Sequence, residues 1–139
     1  MAITLRLTKG SELTHTELDG NFTDLDTQIT KTKTVKAVTV ASGVLALDHS
    51  DGDAASITVA ENVTSVTLAN PPAAGIVGSI TLFITQDATG GRTFAGTYLT
   101  DGGAGLDISV NPNAKSIVTF LTTDGGATYF GMSGGKNYV

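Results

Sequence analysis

Leu18, Phe22, Leu25 and Ile29 are spaced by four, three and four residues, with polar side chains between them. This is the period of a helix carrying one narrow apolar stripe. Just upstream, Thr14 and Glu17 have the S/T-x-x-E spacing of a capping box, in which each side chain accepts a backbone N–H that the first helical turn leaves unpaired. Leu13 and Leu18 fall at the staple positions on either side of that start. The pattern predicts a helix beginning at His15 and ending between Thr30 and Lys33. A helix of roughly 16 residues is marginal alone in water, so the stripe needs a partner: the chain's own strands, sister copies, or a docking surface.

Beyond the helix the period changes. KTKTVK, from Lys31 to Lys36, alternates polar and β-branched residues and reads as a linker entering the first strand. The lysines there suit the negative pole of the helix dipole. Short apolar runs then recur at Val38–Val40, Val44–Leu47, Ile57–Val59 and Val63–Leu68. Ile80, Leu82 and Ile84 alternate with Thr81, Phe83 and Thr85, as in a strand with one buried face. Ser116–Thr122 and Thr128–Met132 are apolar on both faces, which predicts central strands or a subunit interface. Asp51-Gly52, Gly90-Gly91, Asp101-Gly102-Gly103 and Asp124-Gly125-Gly126 read as hairpin turns, and Asn70-Pro71-Pro72 as a loop. No internal repeat is evident.

The expected architecture is mainly β: a β-sandwich or jelly-roll-like domain over residues 35–139, preceded by an N-terminal anchoring segment, residues 1–34, that contains the short amphipathic helix. Seventeen glycines among 139 residues, with only 15% charged residues, fit short strands and tight turns. A net charge of −5 argues against a sequence-independent grip on nucleic acid. The absence of cysteine excludes disulfides and thiolate chemistry. No apolar run has the length of a membrane span or of a secretory signal core, so membrane insertion is not expected and assembly in the host cytoplasm is.

Two resemblances then narrow the class. Gly10, Ser11, Leu13, Thr14, His15, Glu17, Leu18, Asp19, Asn21 and Phe22 match a GS-x-LTH-x-E-hydrophobic-D-x-NF pattern, and the segment resembles the N-terminal parts of tailed-bacteriophage virion proteins, tail fibres above all. Gly20 departs from the pattern, at a helix cost of up to about 1 kcal/mol. QDATGG, Gln86–Gly91, together with VTFLTTDGGATYFG, Val118–Gly131, is similar to a small β module of phage fibre and other virion proteins. The resemblance implies a homotrimer and a place in the virion. Closed symmetry would let copies bury apolar strand faces without runaway polymerisation.

Chemistry is sparse. His49 lies among Asp48, Ser50, Asp51 and Asp53, but adjacency in sequence is not the convergence a triad requires. The same acidic loop lacks the ordered ligands of a calcium-binding hand. Gly90-Gly91-Arg92 lacks the order of a phosphate loop, and the carboxylates sit in turns rather than across a sugar cleft. Tyr98 and Tyr138 are the aromatic residues most expected at the surface. The sequence reading is therefore a non-enzymatic virion structural protein, without cofactor or metal. Capsid decoration or cement is its first role, and a short tail fibre or fibre adaptor contributing to host attachment is the alternative. Its partners would be further copies of itself, the major capsid protein or tail proteins, and a host surface. The expected interface and anchoring residues are Leu13, Thr14, Glu17, Leu18, Phe22, Leu25, Ile29, Phe120, Tyr129 and Phe130.

Overall fold

The structure, a computed structural model, describes residues 10–139, excepting the side chains of Thr32 and Lys33. The first nine residues of the expected anchoring segment lie outside the described residues. Helix α1 spans His15–Lys33 and begins where the capping box places it. Eight strands follow: β1 (Val35–Ala37), β2 (Val40–Ala41), β3 (Val44–Asp48), β4 (Ala54–Val59), β5 (Ser65–Ala69), β6 (Gly78–Gln86), β7 (Lys115–Thr122) and β8 (Phe130–Tyr138). The described residues are mainly β, with two sheets behind one helix near the N-terminus, as the alternation predicts.

The pairing is not the run of hairpins that the turn residues suggest. The five-stranded sheet has the order β1-β4-β6-β7-β8, and the three-stranded sheet the order β2-β3-β5. β1, β4 and β6 are parallel neighbours, with Val35 beside Ala54 and Ala54 beside Thr81. β3 and β5 are also parallel, with Val44 beside Ser65. The chain thus passes from one sheet to the other and back, as two stacked turns of a flattened coil. A parallel pair requires a crossover, and here the opposite sheet supplies it. Across the coil Ala37 of β1 lies beside Ser56 of β4, and VLALD of β3 beside SVTLA of β5. Asp51-Gly52 correspondingly joins β3 to β4 between sheets rather than closing a hairpin. β2 and β3 form a short antiparallel hairpin, with Val40 beside Leu45, and β6, β7 and β8 also run antiparallel; Asp124-Gly125-Gly126 lies in the β7–β8 connection.

The core lies between the sheets. Leu45, Leu47 and Val66 come from the smaller sheet; Ile57, Val59, Ile80, Leu82, Ile84, Val118 and Phe120 come from the larger. Each set occupies alternate positions of its strand, which is what a two-residue period produces when one face is covered.

Candidate assembly surfaces

Local chemistry fixes the start of α1. The Thr14 hydroxyl accepts the Glu17 N–H at 3.2 Å, and Glu17 Oε2 accepts the Thr14 N–H at 2.8 Å and the Thr14 hydroxyl at 2.9 Å. The helix then leaves its stripe uncovered: Leu18 is 43% exposed, Phe22 64%, Leu25 45% and Ile29 46%. Among the described residues no strand encloses these side chains, so β1–β8 are not the partner of the stripe. Leu13 is half-buried.

The helix is held to the body at its C-terminal end. Lys31 Nζ donates to the Ser50 carbonyl at 2.8 Å, and the Lys31 carbonyl lies so close to Gly52 that a Cβ there would stand 2.3 Å from it. Gly52 has φ of +124°, a conformation costly for other residues. Lys36 faces Asp51 at 3.5 Å. Lys31 and Lys36 therefore tie the helix exit to the His49–Asp51 turn, while the Lys33 side chain lies outside the described residues.

Of the three late-strand aromatics expected at an interface, only Phe130 is a surface residue, at 47% exposed. Phe120 is fully enclosed and Tyr129 nearly so, which removes Phe120 from any contact surface. The reason is parity: Val118, Phe120 and Thr122 all point inward from β7. Phe83 and Met132 share the outward face with Phe130. Tyr138 is exposed as expected, whereas Tyr98 packs edge-on against Phe120 with ring centroids 5.2 Å apart. The Tyr98 hydroxyl is buried without a hydrogen-bond partner, and burial pushes its pKa up to about 12.

The QDATGG segment is a structural clamp. Gln86, buried at the end of β6, donates to the carbonyls of Arg92 at 3.0 Å and Ser109 at 2.9 Å, and accepts the Arg92 N–H at 3.1 Å. Asp87 accepts the N–H groups of Thr89 and Gly90 through Oδ1, and the Arg92 guanidinium through Oδ2 at 2.7 Å. The Arg92 hydrogen bond holds the Asp87 carboxyl below its ordinary value. These contacts fold residues 86–92 back on themselves, so Gly90-Gly91-Arg92 is a turn braced from within. Nothing in the sequence marked Gln86 as a buried hub except its place in the motif.

The acidic His49 turn is likewise occupied by its own contacts. Asp48 accepts the Ser50 N–H at 2.7 Å and both oxygens take the Asn70 amide. These bonds hold its carboxyl below the ordinary value. His49 Nε2 lies 3.2 Å from the Tyr129 hydroxyl, and burial lowers the imidazole pKa against the pull of Asp53 and Asp48. Among the described residues no three His, Cys, Asp or Glu side chains come together at a metal-binding spacing, and no helix is long and apolar enough to cross a membrane.

A helix with an exposed apolar stripe is thus held at one end to a small β coil. Residues 9–128 match the family model described as "Putative phage tail fibre C-terminal domain". The chain belongs to this phage tail fibre domain family and is a phage structural protein of the virion. No curated protein and no solved structure matches it.

Proposed function

We propose that the protein is a module of a tail fibre, or of an adaptor that carries one, and that it works by binding and assembly rather than by catalysis. The observation that carries this is the family match, which runs through the capped helix and most of the β coil. It favours the tail over the capsid-decoration role that the short chain suggested. Attachment to tail proteins and contact with the host surface belong to this reading.

We further propose a homotrimer held by α1. In heptad terms Phe22 and Ile29 occupy a positions and Leu18 and Leu25 d positions, a seam that sister helices can fill with one another's side chains. Parallel alignment sets Asp26 of one helix beside Asn21 of the next. Antiparallel alignment would set Asp19 against Asp26, so parallel alignment is the favoured one. Three linked anchors would also hold the particle far more tightly than one.

Light scattering on the purified protein should give three times the 14.1 kDa protomer mass. Phe22→Asp with Leu25→Asp should give a monomer of unchanged β content. A wild-type monomer would refute the trimer. Gold-labelled antibody on intact virions should mark the tail; label spread over the head would overturn the fibre reading in favour of decoration.

A further inference from the structure

Four Asp-Gly pairs occur in the chain: Asp19-Gly20, Asp51-Gly52, Asp101-Gly102 and Asp124-Gly125. In such a pair the glycine nitrogen can attack the aspartyl Cγ, closing a five-membered succinimide and releasing one water. Water then adds to either imide carbonyl and breaks that C–N bond, giving back aspartate or giving isoaspartate, in which the main chain runs through the former side-chain carboxyl. The water lost on closure is regained on opening, and the reaction takes no oxidant or reductant.

The fold restrains the four pairs unequally. Asp19 and Gly20 lie inside α1, where helical hydrogen bonding fixes the backbone and the Thr23 hydroxyl also donates to the Asp19 carbonyl at 2.9 Å. Asp124 Oδ1 accepts the Thr122 hydroxyl and the Thr128 N–H, both at 2.9 Å, and Gly125 faces Ala74. Asp51 faces Lys36, and Gly52 is pressed against the Lys31 carbonyl. Asp101 is exposed, and among the described residues its carboxylate accepts no hydrogen bond and forms no ion pair. Gly102 and Gly103 have φ of +59° and +71° with open space around both. A loop with few contacts opens at little cost, and glycine offers no Cβ to hinder the approach.

We infer that Asp101 is a site of spontaneous covalent modification, converting to isoaspartate ahead of the other three Asp-Gly pairs. The product carries an extra methylene in the main chain inside a turn where Gly103 N–H donates to the Thr100 carbonyl and Ala104 N–H to the Asp101 carbonyl. That turn directly follows Leu99, whose backbone pairs with Tyr129 and Gly131 beside the β8 edge. Ageing at Asp101 would therefore loosen the cover of that edge.

The test is incubation of the native full-length protein near neutral pH in 18O-labelled water. Isoaspartate is then read by isoaspartyl methyltransferase with labelled S-adenosylmethionine, peptide by peptide. Cleavage after Lys9, Lys31, Lys36, Arg92, Lys115 and Lys136 puts the four pairs on separate peptides. The 93–115 peptide should gain label several-fold faster than the 10–31, 37–92 and 116–136 peptides, and the four rates should converge in urea. Asp101→Ser should abolish label in 93–115 alone. Earlier or equal labelling of any of the other three peptides in the native protein would overturn the inference. So would an Asp101 lead that persists undiminished in urea, since the fold would then not set the order.

Discussion

Replacing Gln86 by Leu tests whether the QDATGG clamp carries the connection between β6 and β7. Gln86 is 1% exposed and serves three backbone groups: the Arg92 N–H, the Arg92 carbonyl and the Ser109 carbonyl. Leucine fills about the same space but serves none of them. A buried backbone group left unpaired costs roughly 1–3 kcal/mol, so three groups put about 3–9 kcal/mol at stake. Burying the leucine side chain returns about 1.5–3 kcal/mol, and Arg92, being half-buried, can turn part of its backbone to water. The net loss should be about 3 kcal/mol, a large share of the stability of an ordinary domain. Urea unfolding should show a lower midpoint at unchanged slope. It should be run at two protein concentrations, because self-association adds a concentration-dependent term. A loss below about 1 kcal/mol would mean that the Gln86 bonds exchange freely with water, and the clamp would not organise the loop.

Further outcomes follow from the same contacts. Thr14→Ala removes one half of the capping box and should cost about 0.5–2 kcal/mol of helix stability, read as lost helical circular dichroism with the strand signal intact; unchanged helicity would show that the box is dispensable. Gly52→Ala must move either the helix exit or the β3–β4 crossover, because its Cβ would meet the Lys31 carbonyl at 2.3 Å; a variant as stable as the parent would contradict that packing. Phe120→Ala should cost about 3–5 kcal/mol while leaving the oligomer mass of the remaining folded protein unchanged, and selective loss of the oligomer would return Phe120 to an interface. Acid should destabilise the fold in two stages. His49 is depressed in the fold, so the unfolded chain binds its proton first and stability falls as pH drops below the ordinary value of 6.5. Asp48, Asp87 and Asp124 are depressed below 3.8, and their contribution is present above that value and lost as pH falls through their folded values. Stability that rose on mild acidification would refute the His49 assignment.

The elements whose signals are local were legible. The Thr14–Glu17 box set the start of α1 to the residue, since both partners lie within one turn. The Leu18–Ile29 stripe was readable as a face and also as an unmet need, because neither its spacing nor its composition names the surface that covers it. Strand positions were readable from alternation. Strand partners were not: Val35 meets Ala54 and Val44 meets Ser65 across a turn of the coil, and the same alternation would serve an antiparallel pair equally well. Asp51-Gly52 misled for a related reason. Its glycine is required by the approach of a helix from earlier in the chain, which no nearby residue announces.

The late aromatics show how far parity alone could have gone. In IVTFLT the buried positions Val118, Phe120 and Thr122 alternate with half-buried Ile117, Thr119 and Leu121, so the segment is apolar on both faces for two separate reasons. One face is the core, and the other is an outward surface that Phe83, Phe130 and Met132 extend across neighbouring strands. Taking Phe120 and Phe130 as one interface class merged those reasons. Their burial separates them, and it divides the consequences of mutation the same way. Inward changes act on folding, and outward changes act only on what the module touches. The α1 stripe belongs with the second group, because the helix meets the coil at Lys31 and Gly52 rather than through its apolar face. On the proposed trimer, substitutions at Phe22 and Leu25 should therefore abolish assembly while the coil behind them keeps its fold.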